Sequence, residues 1–162
     1  MGKIYVRVDD RLIHGQTIVS WCPTWGIKEI IGIDDESAKN PTLRSIMTMS
    51  VPSSYTTSIV TAAEAKTLLS KESKNNRLVI VKYPSVLNAI KENIKGCEMI
   101  QLGNISKRAD SVHQLTGATG IFFLSKKEVE DLDDFVKQGF NVNFQQMPNQ
   151  AKTSWESFKK TI

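Results

Sequence analysis

Short runs of β-branched residues alternate with amphipathic stretches along the whole chain. The runs that predict β-strands are 4–8, 29–33, 58–60, 78–82, 98–102, 120–124 and 141–145. The stretches with helical spacing of apolar positions are 14–21, 41–49, 61–70, 85–94, 125–138 and a short one at 154–160. Two of these predicted helices begin with capping-box spacing, formed by Thr61 with Glu64 and by Ser125 with Glu128. Gly139 then ends the second of them.

This alternation predicts an α/β fold with an open, mostly parallel sheet of six to seven strands and helices on both faces. The segment 78–81, Leu-Val-Ile-Val, is apolar on both faces, as a central parallel strand is. No linker, repeat or low-complexity segment interrupts the pattern, so residues 1–162 are predicted to form a single domain. Ligands bind such sheets at the carboxyl ends of strands, which directs attention to 9–16, 34–37, 83–85 and 103–106.

The composition narrows the class of protein. Hydrophobic residues make up 40% and charged residues 23% of the 162, which argues against disorder. No apolar run approaches the roughly 20 residues that a membrane span needs, and the first residues enter a strand pattern without the apolar core of a signal peptide. Cys22 and Cys97 lie far apart, outside any zinc-binding spacing. We therefore expect a cytoplasmic protein without a disulfide, a metal or another cofactor.

The net charge of +4 is spread over the chain. Basic and acidic residues are interleaved, as in Lys126-Lys127-Glu128, and no basic stripe with aromatics or nucleic-acid-binding motif is present. A solvated surface is the favoured interpretation and nucleic acid is not an expected partner. A mildly basic docking face for an acidic protein is the second interpretation, with Arg7, Arg44 and Lys107 as candidates for its rim.

The densest polar cluster, residues 9–17, directly follows the first predicted strand. It contains no dinucleotide fingerprint and no P-loop. Its His14 is a candidate nucleophile, because much of an imidazole population is neutral near pH 7. Arg11 would pair with a phosphoryl group on that ring. A helix that begins near His14 or Gly15 would add free amide groups, and Gly15 would let the backbone approach the phosphate closely.

Other roles for these residues stay open at the level of sequence. A histidine at a strand–helix junction often has a structural role, and Asp9 and Asp10 could serve as a helix cap and a solvated acid. The residues by themselves support a phosphate- or anion-binding loop, so a non-catalytic regulatory module of flavodoxin-like type is the alternative function. His113 is predicted to be structural or solvent-facing, and Trp21 and Trp25 to contribute to packing.

The segment 6–16, Val-Arg-Val-Asp-Asp-Arg-Leu-Ile-His-Gly-Gln, closely resembles the active loop of a known family. This is the IIB component of mannose/fructose/sorbose-type phosphoenolpyruvate-dependent sugar phosphotransferase systems. The resemblance continues in the same order through 33–40, 51–52, 79–84, 100–105 and 144–148. The chain departs from the family pattern at Gln101, where an asparagine is expected, and at Tyr83, where a small polar residue is commoner.

The resemblance implies a phosphocarrier enzyme with an open parallel α/β fold. His14 would accept a phosphoryl group through Nδ1 from a phosphohistidine on a separate IIA partner. It would then pass the group to a sugar held by the membrane components IIC and IID, which would attach the chain peripherally to the membrane. Arg11 matches the arginine expected to steady the phosphoryl group, and Asp10, Gly15 and Gln16 match the rest of the motif. The sequence leaves open which sugar is used and how the chain assembles, a homo-oligomer included.

Overall fold

Strands and helices alternate along the chain in the computed structural model, which describes residues 1–162. The strands are β1 (Ile4–Asp9), β2 (Ile27–Ile33), β3 (Thr56–Val60), β4 (Asn76–Val81), β5 (Ile100–Asn104), β6 (Ser111–Gly117), β7 (Gly120–Ser125), β8 (Val142–Phe144) and β9 (Thr153–Ser154). The helices are α1 (Gly15–Trp25), α2 (Asp35–Lys39), α3 (Pro41–Met49), α4 (Ala62–Leu69), α5 (Pro84–Ile90), α6 (Lys126–Lys137) and α7 (Trp155–Lys159). A 3-10 turn over Lys91–Ile94 extends α5. Every helix is too short or too polar to cross a membrane.

Seven of the strands form one sheet in the order β3-β2-β4-β1-β5-β8-β9. All neighbouring pairs are parallel except β8 and β9. The predicted mostly parallel sheet of six to seven strands is therefore confirmed. Because the chain builds the sheet from β1 toward one edge and then returns past it toward the other edge, the carboxyl end of β1 lies where the strand order reverses. Such a position is where α/β sheets form ligand-binding crevices.

Helices cover both faces of the sheet, as predicted, and each face has its own apolar cluster. The larger cluster has 23 buried residues and includes Val6 and Val8 of β1 together with side chains of α4, α5 and α6. The smaller one has 11 buried residues and includes Ile18 and Cys22 of α1. The two predicted capping boxes are present at the starts of α4 and α6. Helix α1, which follows the polar cluster, is thus fixed to the sheet by its buried side.

The run 120–124 is a strand, but its predicted place in the parallel sheet is wrong. It belongs to β7, which pairs with β6 in a separate antiparallel hairpin. Strand β6 was not predicted, because it has few apolar residues and all of its residues are half-buried or exposed. A bridge between Ile105 and Phe122 attaches this hairpin to the main sheet just beyond the end of β5. Helix α2, capped by the carboxylate of Asp34, was also missed.

Candidate functional site

The loop that joins β1 to α1 has a strained and firmly anchored backbone. Leu12 has a φ of 59°, and it is the one residue other than glycine with a positive φ. Its amide donates to the carbonyl oxygen of Asp9 over 2.9 Å, which closes a tight turn. The side chains of Leu12 and Ile13 are both buried in the smaller cluster. A bulky residue keeps such a conformation only where packing enforces it, so the buried pair fixes the position of the next residue, His14.

His14 occupies the N-cap position of α1 with a defined ring orientation. Its Nε2 lies 2.6 Å from the hydroxyl oxygen of Thr17 and 3.5 Å from a carboxylate oxygen of Asp9. Its Nδ1 has no hydrogen-bond partner, and 21% of the side chain is exposed. One ring nitrogen is therefore held by the protein while the other is available for chemistry.

Asp9 lies at the centre of the site and is fully buried. Its carboxylate accepts hydrogen bonds from the Arg11 amide and Nε, each at 3.0 Å, from Arg11 Nη2 at 2.9 Å and from Arg7 Nη2 at 3.3 Å. Burial favours the neutral acid, but the contacts with His14 and Arg11 and the charge of Arg7 outweigh it and hold the pKa of Asp9 well below its usual range. Sequence reasoning treated Asp9 as a cap or a solvated acid, and missed this central role.

Arg7 is not part of an exposed basic rim, and that prediction is wrong. It is fully buried on the same face of β1 as Asp9. Its Nη1 donates to the side-chain oxygen of Gln101 and to the Gln145 carbonyl, and its Nη2 donates to the Gln146 carbonyl over 2.9 Å. Burial lowers the pKa of Arg7 to about 10, with the Asp9 charge acting in the opposite direction, so the guanidinium stays charged near pH 7. The other two rim candidates, Arg44 and Lys107, are exposed.

Two neighbours shape the space around the Arg7 guanidinium. A Cβ atom on Gly103 of β5 would lie 2.2 Å from the Arg7 Cζ, so any larger residue would displace the buried guanidinium. On another side, the ring centroid of Trp21 lies 5.7 Å from the same atom, and the indole N–H donates to the Gln146 carbonyl over 3.0 Å. Trp21 also stacks on Trp25, in agreement with the packing role predicted for both. Gln101, where the chain departs from the family pattern, therefore accepts a hydrogen bond from the buried Arg7 guanidinium.

Asp10 connects the loop to the end of β5. Its carboxylate accepts from the Asn104 side-chain amide over 2.7 Å and from the Ser106 amide over 2.8 Å. The Asp10 amide in turn donates to the Asn104 carbonyl oxygen over 3.0 Å. Gln146, from the segment after β8, donates to the Asn104 side-chain oxygen over 2.8 Å. Both oxygens of Asp10 are therefore engaged in holding three segments together at the carboxyl edge of the sheet.

Several hydrogen-bond donors in the loop and at the start of α1 have no partner within the protein. The amides of Gly15, Gln16 and Thr17 begin α1 without a partner, since the His14 side chain does not cap the helix. Gly15 and Gln16 are exposed, and a Cβ on Gly15 would meet nothing within 4 Å. Arg11 uses Nε and Nη2 on Asp9, which leaves its Nη1 free. Free amides at a helix start beside a guanidinium make a site suited to an anion.

The predicted segments 34–37 and 83–85 have no hydrogen bond to the histidine loop. Asp34, after β2, pairs with Lys82, after β4, over 3.2 Å. Tyr83 lies under the guanidinium of Arg108, with 4.8 Å between Cζ and the ring centroid. No hydrogen bond joins either pair to the loop, and His113 is half-buried on β6 in the hairpin. No group of three or more His, Cys, Asp or Glu side chains is arranged to hold a metal ion.

The two cysteine thiols are poor nucleophiles. Burial raises the pKa of Cys22 to about 12 and that of Cys97 to about 11. Both groups are therefore protonated near pH 7, whereas the thiolate is the reactive form. Cys22 packs inside the smaller cluster, and Cys97 precedes β5, toward the amino end of the strands. The geometry therefore favours His14 over either cysteine as a nucleophile.

The chain is similar in sequence to known proteins. A probable phosphotransferase enzyme IIB component of Streptococcus pyogenes is 27% identical over 104 residues, which cover 63% of this chain and 64% of that protein. The fructose-specific EIIB component of the Bacillus subtilis PTS is 21% identical over 164 residues, covering 100% of this chain and 98% of that one. The chain thus spans a little under two thirds of the first relative and nearly all of the second.

Structural similarity extends over the whole fold. The IIBSor domain of the sorbose permease from Klebsiella pneumoniae superposes with a TM-score of 0.84 at 16% identity, covering 99% of this chain and 98% of that one. This likeness shows a shared fold. The family model for the sorbose subfamily IIB component of the PTS matches residues 4–161. The chain therefore belongs to the sorbose subfamily of IIB components of the phosphotransferase system.

Proposed function

We propose that this phosphotransferase component carries a phosphoryl group on Nδ1 of His14, between a phospho-IIA donor and a sugar. The observation that carries the proposal is the asymmetry of the His14 ring. Nε2 faces Thr17 and Asp9, while Nδ1 has no partner and the ring is partly exposed. A nucleophile that must be reached by two successive partners needs this combination of a fixed ring and one open nitrogen.

Asp9 supports the nucleophile by holding the other end of the ring. Because its low pKa keeps the carboxylate ionised near pH 7, Asp9 favours a proton on the nearby Nε2. With that proton in place, the lone pair of Nδ1 is free to attack the phosphorus atom of the donor. The new Nδ1–P bond forms as the bond to the donor imidazole breaks, and the electron pair of that bond returns to the donor ring. Such transfers depend on in-line positioning and charge stabilisation.

The charge on the transferred group would be met by the free donors around His14. The amides of Gly15, Gln16 and Thr17 and the Nη1 of Arg11 have no hydrogen-bond partner within the protein. Charge-assisted hydrogen bonds are worth roughly 1.5–3 kcal/mol each, whereas the helix dipole adds about 0.3–1 kcal/mol. In this scheme Gly15 and Gln16 bind the phosphoryl group through their backbone amides. Arg11 donates to Asp9 through Nε and Nη2 and to the phosphoryl group through Nη1.

Asp10 has an indirect role in this scheme. A carboxylate repels phosphate, and both oxygens of Asp10 already accept hydrogen bonds from Asn104 and Ser106. We therefore assign Asp10 to the support of the loop and not to phosphate contact, which revises the role suggested by the family motif. Its connection to Gln146 through Asn104 joins the loop to the network around Arg7.

The proposed partners follow from the chemistry and from family membership. The proposed donor is a IIA protein that carries a phosphohistidine. The acceptor is a sugar held by the membrane components IIC and IID, with which this chain would associate peripherally. The exposed Arg44 and Lys107 remain candidates for the surface that meets the phosphorylated donor.

Labelling from phosphoenolpyruvate tests the proposal. With the upstream carriers supplied, the protein should gain one acid-labile, alkali-stable phosphate per chain, and His14→Ala should gain none. His113→Ala is the matched control, because it removes the other histidine of the chain and should label normally. Label on His14→Ala would place the phosphoryl group on another residue and refute the role of His14. Phosphate binding by the wild type without covalent labelling would instead support a non-catalytic anion-binding module.

A further inference from the structure

His14 is the N-cap of α1, but its side chain contacts the hydroxyl of Thr17 and does not cap the helix. An N-cap side chain ordinarily accepts a hydrogen bond from an amide in the first helical turn, and this bond uses up one of the free donors there. The His14 side chain makes no such bond. Its Nε2 instead lies 2.6 Å from the hydroxyl oxygen of Thr17, three residues along the helix. The imidazole is thus directed to a side chain, and the amides stay free.

Thr17 is well placed to hold the ring rigidly. The residue is fully buried, so water does not compete for its hydroxyl. Side chains in a helix lean toward the preceding turn, which brings position 17 over position 14. A threonine in a helix also has few χ1 rotamers available, which restricts where its oxygen points. The His14–Thr17 contact is therefore a fixed element of the first turn of α1.

The hydrogen bond between His14 and Thr17 has two possible proton arrangements, and only one leaves a lone pair on Nδ1 for attack on phosphorus. If the Thr17 hydroxyl donates to Nε2, the neutral ring carries its proton on Nδ1, and Nδ1 has no lone pair to offer. If Nε2–H donates to the hydroxyl oxygen, Nδ1 is free. The ionised carboxylate of Asp9, 3.5 Å from Nε2, attracts a proton at that nitrogen and so favours the second arrangement. Thr17 then supplies an acceptor at the short distance that Asp9 lacks.

We propose that Thr17 is a positioning residue for phosphoryl transfer: its hydroxyl accepts from Nε2–H and keeps the imidazole from capping α1. Together with Asp9, it stabilises the ring tautomer with an open Nδ1. This inference rests on the proposed function of His14, and it adds a residue that the sequence motif did not single out. The same hydrogen bond serves the phosphorylated ring, in which Nδ1 bears the phosphoryl group and Nε2 keeps its proton. No proton has to move on Nε2 when the phosphoryl group arrives or leaves.

Replacement of Thr17 by valine tests the proposal directly. Valine keeps the branched shape and removes the oxygen, and Thr17→Ser is the control that keeps the oxygen and removes the methyl group. Long-range 1H–15N spectra of the full chain, recorded at about pH 8 where imidazoles are largely neutral, report the tautomer of each ring. His113→Gln in every variant leaves a single histidine to observe. The wild-type residue and serine should give the Nε2–H tautomer, and valine should give a mixture.

The rate of labelling by phospho-IIA provides the second measurement. Loss of one hydrogen bond between neutral groups should lower the rate constant about 3- to 10-fold in Thr17→Val, with Thr17→Ser close to wild type. Thermal unfolding of each variant separates this effect from loss of folding. An unchanged tautomer in Thr17→Val, or a serine variant as slow as the valine variant, overturns the role of Thr17. Label retained by His14→Ala would instead refute the proposed function, whatever the spectra of the Thr17 variants show.

Discussion

The two faces of strand β1 are equally buried, but one is apolar and the other carries charged side chains. Val6 and Val8 point into the larger apolar cluster, where contact alone satisfies them. Arg7 and Asp9 point to the other face, where they take hydrogen-bond partners from β5, from the segment after β8 and from the histidine loop. Of the polar side-chain atoms of these two residues, only the Arg7 Nε has no partner. One face can accept many apolar side chains of the right volume, whereas the other depends on named partners. The strand thus stabilises the fold with one face and specifies the site with the other.

Removal of Arg7 should be the most damaging change on the polar face. Arg7→Met leaves Asp9 short of a charged partner, and it leaves the Gln101 side-chain oxygen and the Gln145 carbonyl without a donor. Breaking a buried ion pair in this way costs about 3–5 kcal/mol. Urea denaturation should show this loss in the free energy of unfolding, together with slower labelling of His14. A loss under about 1 kcal/mol, the size of a surface ion pair, would contradict the network described here.

A matched change on the apolar face should affect stability alone. Val8→Ala removes two buried methyl groups, which should lower the free energy of unfolding by about 2–3 kcal/mol once the cavity is included. Below the unfolding temperature, the rate of phosphoryl transfer should equal that of the wild type. If Val8→Ala slows transfer as much as Arg7→Met does, the two faces are not functionally separate.

A fall in pH should destabilise the fold through the polar face of β1, where Asp9 is ionised, before it affects the apolar face. Because contacts in the folded state lower the pKa of Asp9, its contribution to stability is complete above the usual carboxyl pKa of about 4 and is lost as the pH falls below it. Unfolding measured between about pH 5 and 2 should show a steeper slope for wild type than for Asp9→Asn, by up to about 1.4 kcal/mol per pH unit. Asp34 and Asp133, whose pKa values are also lowered, should provide the slope that remains. Equal slopes would mean that Asp9 is not the ionised centre of the site.

The smallest effect is expected at Cys97. Burial raises the pKa of its thiol to about 11, and the residue precedes β5, away from the carboxyl edge of the strands. Cys97→Ala should therefore take up phosphate from phosphoenolpyruvate to the same extent and at the same rate as wild type. Reduced labelling of this variant would point to a cysteine step that the geometry does not support.

The sheet was predictable because its strands and helices carry strong apolar patterns. The hairpin was not, because β6 has few apolar residues and β7 looks like one more strand of an alternating series. The two strands pair with each other, and the bridge between Ile105 and Phe122 attaches them to the sheet. No local sequence pattern encodes these contacts. Local sequence therefore indicated the elements, whereas the partner of β7 followed from tertiary structure.

The loop around His14 was predictable from its density of polar residues, but its supporting residues were only partly so. The alternation of β1 places Arg7 and Asp9 on one face, opposite Val6 and Val8, and this signal could have identified both as inward-facing. What the sequence could not show is that distant oxygen acceptors, such as the Gln146 carbonyl, converge on Arg7. The orientation of His14 toward Thr17 likewise depends on where α1 begins, a boundary that periodicity defines poorly.

The close approach of Gly103 to Arg7 makes the residue types at these two positions depend on each other. A methyl group at position 103 would lie 2.2 Å from the Arg7 Cζ, so the buried guanidinium would have to move. That movement would weaken the contact between Arg7 and Asp9. The arginine on the neighbouring strand therefore favours glycine at position 103, although this glycine lies outside the histidine loop.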